Sequence, residues 1–311
     1  MINVWFFGTP EPAAQILTQI FEAGDFKILA VVAQPDKATG RGHIKEAGAV
    51  KVAAEKRGIR VLQPESLLDY NPPLEIPRPD IFIVYQYGLI MPESTLSLAK
   101  LGAINLHPSA LPRYRGATPL HEAILRGDET IGISIMLMDT KMDHGPILAQ
   151  TTLELQKDEL YETVEARATE AGAKLLIPTA RDFYNGKIVP AAQNETVAIF
   201  CQRIAKDQGR VNWQKPAREI YNQYRAYHKW PGIFTFWGQK RLKFLKISYD
   251  ENETSTLVLK PAQVNLINNL LKIGTASGSI AVHELQLEGG KPLKTEQFLA
   301  GHRELAGAIL K

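Results

Sequence analysis

The chain has 311 residues, 45% hydrophobic and 22% charged, with a net charge of +3. That is the make-up of an ordinary globular protein large enough for two domains. A single cysteine, Cys201, excludes a disulfide framework and a cysteine-based metal cluster, and the histidines show no H-E-x-x-H spacing, so no metal is expected. No apolar run approaches the roughly 20 residues that cross a bilayer, so no membrane partner is expected.

In chain order, Ile2 to Phe7 reads as a buried strand beginning almost at Met1, which leaves no room for a signal or transit peptide and points to the cytoplasm. Gly8-Thr9-Pro10 turns into a helix, with Thr9 as N-cap and Pro10 at the first helical position. This opening is that of a dinucleotide fold, but G-x-G-x-x-G is missing, which disfavours a nucleotide cofactor. Lys27 to Ala33 is a second strand. After it, Gln34 to Lys45 carries Lys37, Arg41 and Lys45, with glycines on both sides of the arginine. It reads as a flexible, solvated surface loop, or as one whose glycines admit a close partner and whose cations meet phosphates. Ala47 to Arg57 is a helix, Arg60 to Leu62 a short strand, and Asp80 to Tyr85 a buried strand followed by Tyr87-Gly88-Leu89-Ile90.

Leu101 to Leu106 is an apolar run that reads as another buried strand of a parallel sheet. In such sheets ligands bind beyond the carboxyl ends. Asn105 and His107, two apart on this end, face the same side. A lone strand-end His is more often structural than catalytic. Pro108 and Pro112 stiffen the following loop and leave its backbone groups free for a ligand. Thr118 and Pro119 start a helix that ends near Gly127-Asp128. Ile131 to Met138 is a further strand, and Asp139 and Asp143 lie in the loop after it, closed by Gly145-Pro146. Both carboxylates can be turn formers. If this strand neighbours the one ending at His107, Asp143 reaches the imidazole, and a carboxylate there favours the charged ring and orients it. Asn, His and Asp without an activated Ser or Cys suit acyl transfer to a nucleophile that the substrate brings, with Asn and His holding the oxyanion.

A long amphipathic helix runs from about Glu159 to Tyr184, and a polar connector reaches Gly209. Strands then recur at Gly232–Trp237, Arg241–Ile247, Thr256–Leu259, Leu270–Gly274 and Ser279–Gln286, the spacing of a small barrel. From residue 201 onward there are 17 Lys and Arg against 9 Asp and Glu, a surplus of eight, which leaves residues 1–200 at minus five. A basic barrel beside an acidic domain points to an extended anionic partner, although cations such as Lys240, Arg241, Lys243 and Lys246 also serve as edge charges. The fold expected is α/β: a Rossmann-like, mostly parallel sheet with helices on both faces over residues 1–188, a linker at 189–208, and a small OB-like β-barrel over 209–311.

The Asn105-x-His107 strand end, the Ser109-Ala110-Leu111-Pro112 loop, Arg115-Gly116-x-x-Pro119 and Asp143-x-Gly145 together resemble the formyltetrahydrofolate-dependent formyltransferases, along essentially the whole chain. Each piece alone is weak, and the combination is specific. Pro108 stands where that family usually has Gly, and Ala110 where it has Leu; neither removes a chemical group. The resemblance implies 10-formyltetrahydrofolate as co-substrate, held by Tyr87, Gly88, Leu89, Ser109, Ala110, Leu111, Pro112 and Asp139, largely through backbone bonds. It implies catalysis by Asn105, His107 and Asp143, with Asp143 positioning His107 and helping an amine proton leave through water.

Within the family the chain is most similar to the branch that formylates methionyl initiator tRNA. There a loop at the position of Arg41 enters the acceptor stem. By that likeness Lys37, Arg41 and Lys45, and Lys240, Arg241 and Lys243 of the basic domain, are expected to contact tRNA, and a monomer is expected. A sugar-nucleotide formyltransferase shares the Asn, His and Asp, but the Arg41 loop and the positive second domain argue against it. A glycinamide ribonucleotide formyltransferase would lack the last hundred residues. A catalytically idle folate- or tRNA-binding module would not keep all three polar groups.

Overall fold

The computed structural model describes residues 1–39, 44–68, 70–250, 259–267 and 270–311. The strands of the first half are β1 (Ile2–Phe7), β2 (Phe26–Val32), β3 (Lys37–Thr39), β4 (Ile44–Glu46), β5 (Val61–Leu62), β6 (Ile81–Val84), β7 (Ala103–His107), β8 (Arg115–Gly116), β9 (Thr130–Leu137), β10 (Ile147–Glu154) and β11 (Phe200–Cys201). The helices there are α1 (Glu11–Glu22), α2 (Ala49–Glu55), α3 (Glu93–Leu96), α4 (Pro119–Arg126) and α5 (Tyr161–Tyr184). The chain sorts into two compact units. The first holds Met1–Pro119, Thr130–Glu154 and Val164–Cys201; the second holds Leu120–Glu129, Leu155–Thr163 and Gln202–Lys311.

The first unit is built on a seven-stranded sheet in the order β10-β9-β7-β6-β1-β2-β5. The five strands from β7 to β5 are parallel, because continuous apolar runs such as Ile81-Phe82-Ile83-Val84 can be covered on both faces. The order reverses between β1 and β6, the place where open α/β sheets form a ligand crevice. On one face Trp5, Phe7, Phe82, Val84, Tyr87 and Met91 form a single apolar cluster, with Phe7 4.8 Å from Phe82 and 5.3 Å from Tyr87 between ring centres. On the other face lies α5. Gly172 lets it approach closely, since a Cβ there would sit 2.7 Å from the Leu106 side chain.

Two local expectations change. Thr9 is not the N-cap of α1: Pro10 holds that position, and the Thr9 hydroxyl accepts from the Gln34 amide instead. The cationic stretch after β2 is not simply a flexible loop, because Lys37–Thr39 and Ile44–Glu46 pair as an antiparallel hairpin. Strand β9, to which the sequence assigned no direction within a mostly parallel sheet, runs antiparallel to β7.

At the start of the sheet, Asp80 is buried and its carboxylate accepts from the Asn3 backbone and side-chain amides and from the Lys100 ammonium. Burial opposes its charge, but these donors outweigh it and hold the carboxyl below its ordinary 3.8. A depressed carboxyl contributes stability above its unfolded value and loses it as pH falls through the folded one. Asp80→Asn is therefore expected to cost about 1–3 kcal/mol near neutral pH. Melting temperatures of the two proteins should converge as pH is lowered below 3.8; parallel curves would refute the assignment.

The second unit contains α6 (Ala217–Tyr227), β12 (Ile233–Trp237), β13 (Lys240–Asp250), β14 (Val264–Ile267), β15 (Leu270–Gly274), β16 (Ser279–Leu287), β17 (Leu293–Lys294) and α7 (Thr295–Gly301). Its sheet is antiparallel, β12-β13-β16-β15-β14, with β17 on β16. Of the strand expected at Thr256–Leu259, residues 256–258 lie outside the described residues, and β14 was not anticipated. Leu155–Thr163 is tied in through Arg225, which is buried and whose guanidinium donates to the carbonyls of Glu159 (2.9 Å) and Gln156 (2.8 Å) and to the Asn222 side chain. No described helix is long and apolar enough to cross a membrane.

Candidate active site

Strand β7 brings Asn105 and His107 to one face of its carboxyl end, with Asn105 half-buried and His107 nearly enclosed. The His107 Nε2 lies 2.9 Å from the Tyr114 carbonyl oxygen. A carbonyl only accepts, so Nε2 keeps its hydrogen whether the ring is neutral or charged. The other nitrogen, Nδ1, faces Asp143 Oδ1 at 3.8 Å. That exceeds a hydrogen bond but lets one oxygen or nitrogen atom engage both groups from the side. Nδ1 is thus the ring nitrogen that faces Asp143.

The two groups meet by an unexpected route. Register pairs Ile104 with Leu137 and His107 with Ser134, so the loop after β9 departs at the far end of β7 from His107. It returns over the sheet as a tight excursion. Gly145 is packed so closely that a Cβ would stand 1.8 Å from the Leu137 carbonyl oxygen. Asp143 takes a left-handed backbone with φ 48°, and its Oδ2 accepts from the Gly116 amide at 2.8 Å. Asp139, expected near folate, spends its carboxylate inside the loop: Oδ1 accepts from the Lys141 amide, and Oδ2 lies 2.5 Å from His144 Nδ1.

The loop after His107 is held rather than left open. The Ser109 hydroxyl donates to the Arg113 carbonyl, and the Ser134 hydroxyl donates to the Ser109 carbonyl. The Leu111 amide donates to Ser134 Oγ, and Gln150 donates to the Leu111 carbonyl. The Ala110 and Pro112 carbonyls accept from the Arg113 and Ile199 amides. The loop lies directly on the backbone of β9, where a Cβ on Gly132 would meet the Ala110 nitrogen at 2.2 Å. The expectation that this loop keeps its backbone free for a ligand is therefore corrected. Ser109, Ala110, Leu111 and Pro112 form a wall whose shape is fixed by internal bonds.

At the neighbouring strand ends, Gln34 donates to the Tyr87 carbonyl at 2.7 Å. Gly88 follows with φ 83°. The Tyr87 ring is buried in the apolar cluster, its hydroxyl has no partner among the described residues, and burial pushes its pKa up to about 12. Leu89 packs on the same cluster. Tyr87 and Leu89 thus serve the core and position the Gly88 turn beside β7.

Sequence reasoning missed Arg115, Gln193 and Glu195 as a unit. Arg115 is only 1% exposed. Its guanidinium donates to both carboxylate oxygens of Glu195 (2.6 and 2.9 Å) and twice to Gln193 Oε1. The Arg115 guanidinium holds the Glu195 carboxyl below its usual range. The only signal in the sequence was Arg115 itself beside Gly116, since its partners lie in polar connector.

Of the residues expected to meet tRNA, Arg41 lies outside the described residues. Lys37 and Lys45 sit on the hairpin, with register Lys37 to Glu46 and Ala38 to Lys45. In the second unit Lys240 and Lys243 are exposed. Arg241 differs: its guanidinium lies over the Phe234 ring at 4.2 Å and near Phe236 at 5.9 Å.

Residues 2–180 match the formyl transferase family and residues 203–303 its C-terminal domain. The chain belongs to the formyl transferase family. The methionyl-tRNA formyltransferase of Caldanaerobacter subterraneus is 36% identical over 317 residues, covering 100% of each chain. Two solved formyl transferases share the fold. The methionyl-tRNA formyltransferase of Clostridium thermocellum has a TM-score of 0.57 at 19% identity, over 81% of this chain and 96% of that one. An N-formyltransferase of Helicobacter canadensis, in complex with folinic acid and dTDP-3-aminofucose, has a TM-score of 0.66 at 18% identity, over 91% of this chain and 99% of that one.

Proposed function

We propose that this formyl transferase moves the formyl group of 10-formyltetrahydrofolate to the amino group of methionyl initiator tRNA. The carrying observation is that Asn105 and His107 share one face of the β7 end, with Asp143 3.8 Å from the imidazole, beside nucleophiles that are themselves engaged. The Ser109 hydroxyl donates to the Arg113 carbonyl, and the Cys201 thiol lies 3.3 Å from the Arg115 carbonyl. The acceptor must therefore bring the attacking atom, here the amine nitrogen. It bonds to the formyl carbon, the bond from that carbon to the folate N10 breaks, and the amine proton ends on N10. In this reading Asn105 donates to the oxyanion, and His107 with Asp143, 3.8 Å apart, takes and returns the proton. The full-length likeness to a methionyl-tRNA formyltransferase and the positive second half favour an aminoacyl-tRNA over a small acceptor.

The test offers methionyl initiator tRNA, methionyl elongator tRNA and an amino-sugar nucleotide to the purified protein with the formyl-folate. Formylation of the initiator tRNA with the highest kcat/KM is expected, and its rate should fall with salt as phosphate contacts are screened. Neutralising Lys240 and Lys243 should flatten that salt dependence for both tRNAs. Preferred turnover of the sugar nucleotide would replace this reading with the sugar one.

A further inference from the structure

The connector between the two family-matched segments, which neither match covers, runs back along the active-site loops. Its strand β11 pairs with β8, the Ile199 amide donates to the Pro112 carbonyl, and Ala191 bridges to Ile147. In its middle Gln193 joins the two loops that carry the site. The Gln193 Oε1 accepts from Arg115 Nε at 3.1 Å and from a terminal guanidinium nitrogen at 2.8 Å. A guanidinium only donates, so this contact fixes the amide orientation. The Gln193 Nε2 is thereby turned to two carbonyls, that of Asp143 at 2.9 Å and that of Gly145 at 2.7 Å.

One of those carbonyls belongs to the strained residue of the loop and the other lies two residues after it. A non-glycine residue at φ 48°, as Asp143 is, persists only where its surroundings hold it. The Gly116 amide holds the carboxylate through Oδ2. The backbone is held by Gln193, anchored through Arg115 on Glu195.

We propose that Gln193 is a positioning residue whose side-chain amide clamps the Asp143–Gly145 backbone and keeps the Asp143 carboxylate aimed at His107. This rests on reading Asn105, His107 and Asp143 as the acyl-transfer site. Gln193 acts through Asp143 and does not touch substrate.

The test uses Gln193→Glu, which keeps an acceptor for Arg115 but loses both donors to the carbonyls, and Gln193→Met, which loses both functions at similar volume. Each is made with and without Asp143→Ala, and single-turnover formylation of methionyl-tRNA is measured. Gln193→Glu is expected to lower the rate by about 10²-fold, with KM for both substrates within about twofold, since misplacement of a catalytic group acts on turnover. Its melting temperature should fall, because a carboxylate then faces the Asp143 and Gly145 carbonyls, but the protein should stay folded because Arg115 keeps its partners. In the Asp143→Ala background neither Gln193 variant should slow the reaction further, as expected of two residues acting through one contact. Near-parental turnover of Gln193→Glu and Gln193→Met, or the same fractional loss with and without Asp143, overturns the inference while leaving the site reading intact. Full activity of Asp143→Ala alone overturns the site reading and this inference with it.

Discussion

His107→Ala and Asn105→Ala are each expected to lower turnover by about 10²–10³-fold, the range seen when one donor to a developing oxyanion is removed. The two variants should lose kcat while the formyl-folate dissociation constant changes far less, because the Ser109–Pro112 wall is held by Ser134 and Gln150 rather than by either residue. His107→Ala carries a second consequence. The Nε2 bond to Tyr114 disappears with the ring, and Tyr114 sits at φ 60°, so the loop loses one support as well. Asn105→Ala has no such effect, since no hydrogen bond to its side chain occurs among the described residues. A larger loss for His107→Ala than for Asn105→Ala, with donor affinity nearly intact in the latter, is the expected pattern. It is checked by pre-steady-state formylation and by equilibrium binding of the folate. Near-normal turnover in either variant would show that the acyl-transfer site lies elsewhere.

What the sequence made legible follows from how locally each feature is encoded. The buried strands β1, β6 and β7 were readable because continuous apolar runs mark strands covered on both faces, and the Asn105–His107 pairing followed from the period of two. The direction of β9 was not readable, because Ile131–Met138 has the same apolar composition whichever way it runs. The Asp143–His107 contact was therefore anticipated from adjacency but is made by a loop that doubles back. Strands β8 and β11 are two residues each, too short for any periodicity, so the connector looked like linker. Buried Arg115 was equally opaque: a charged residue is enclosed only when its partners are, and Gln193 and Glu195 lie 78 and 80 positions away. Helix α6 escaped notice because Arg, Glu, Asn and Gln dilute its apolar face, though Ile220, Tyr221, Tyr224 and Tyr227 are buried on it.

Stability should fall steeply between pH 6.5 and 4 because of one residue of the second unit, His121. Its ring stacks on Tyr161 with centroids 3.8 Å apart and lies 6.4 Å from Tyr227. Burial pushes its pKa down from 6.5 to about 4, and the nearby Glu162 carboxylate only partly offsets this. A His kept neutral in the fold but free to charge when unfolded contributes stability above its unfolded value. That contribution is lost as pH falls, since the unfolded chain then binds the extra proton. At 1.36 kcal/mol per unit the full difference is worth about 3 kcal/mol, of which about 2 kcal/mol should be gone by pH 5. His121→Phe keeps an aromatic stack on Tyr161 and removes the titration, so its stability should vary less over this range. Urea unfolding of both proteins at pH 7.5, 6, 5 and 4.5 separates the effect from other groups, because those are common to the pair. The gap between the two curves should move in favour of His121→Phe as pH falls. A constant gap would mean that His121 charges without cost in the fold, and that its ring is open to water despite the stack.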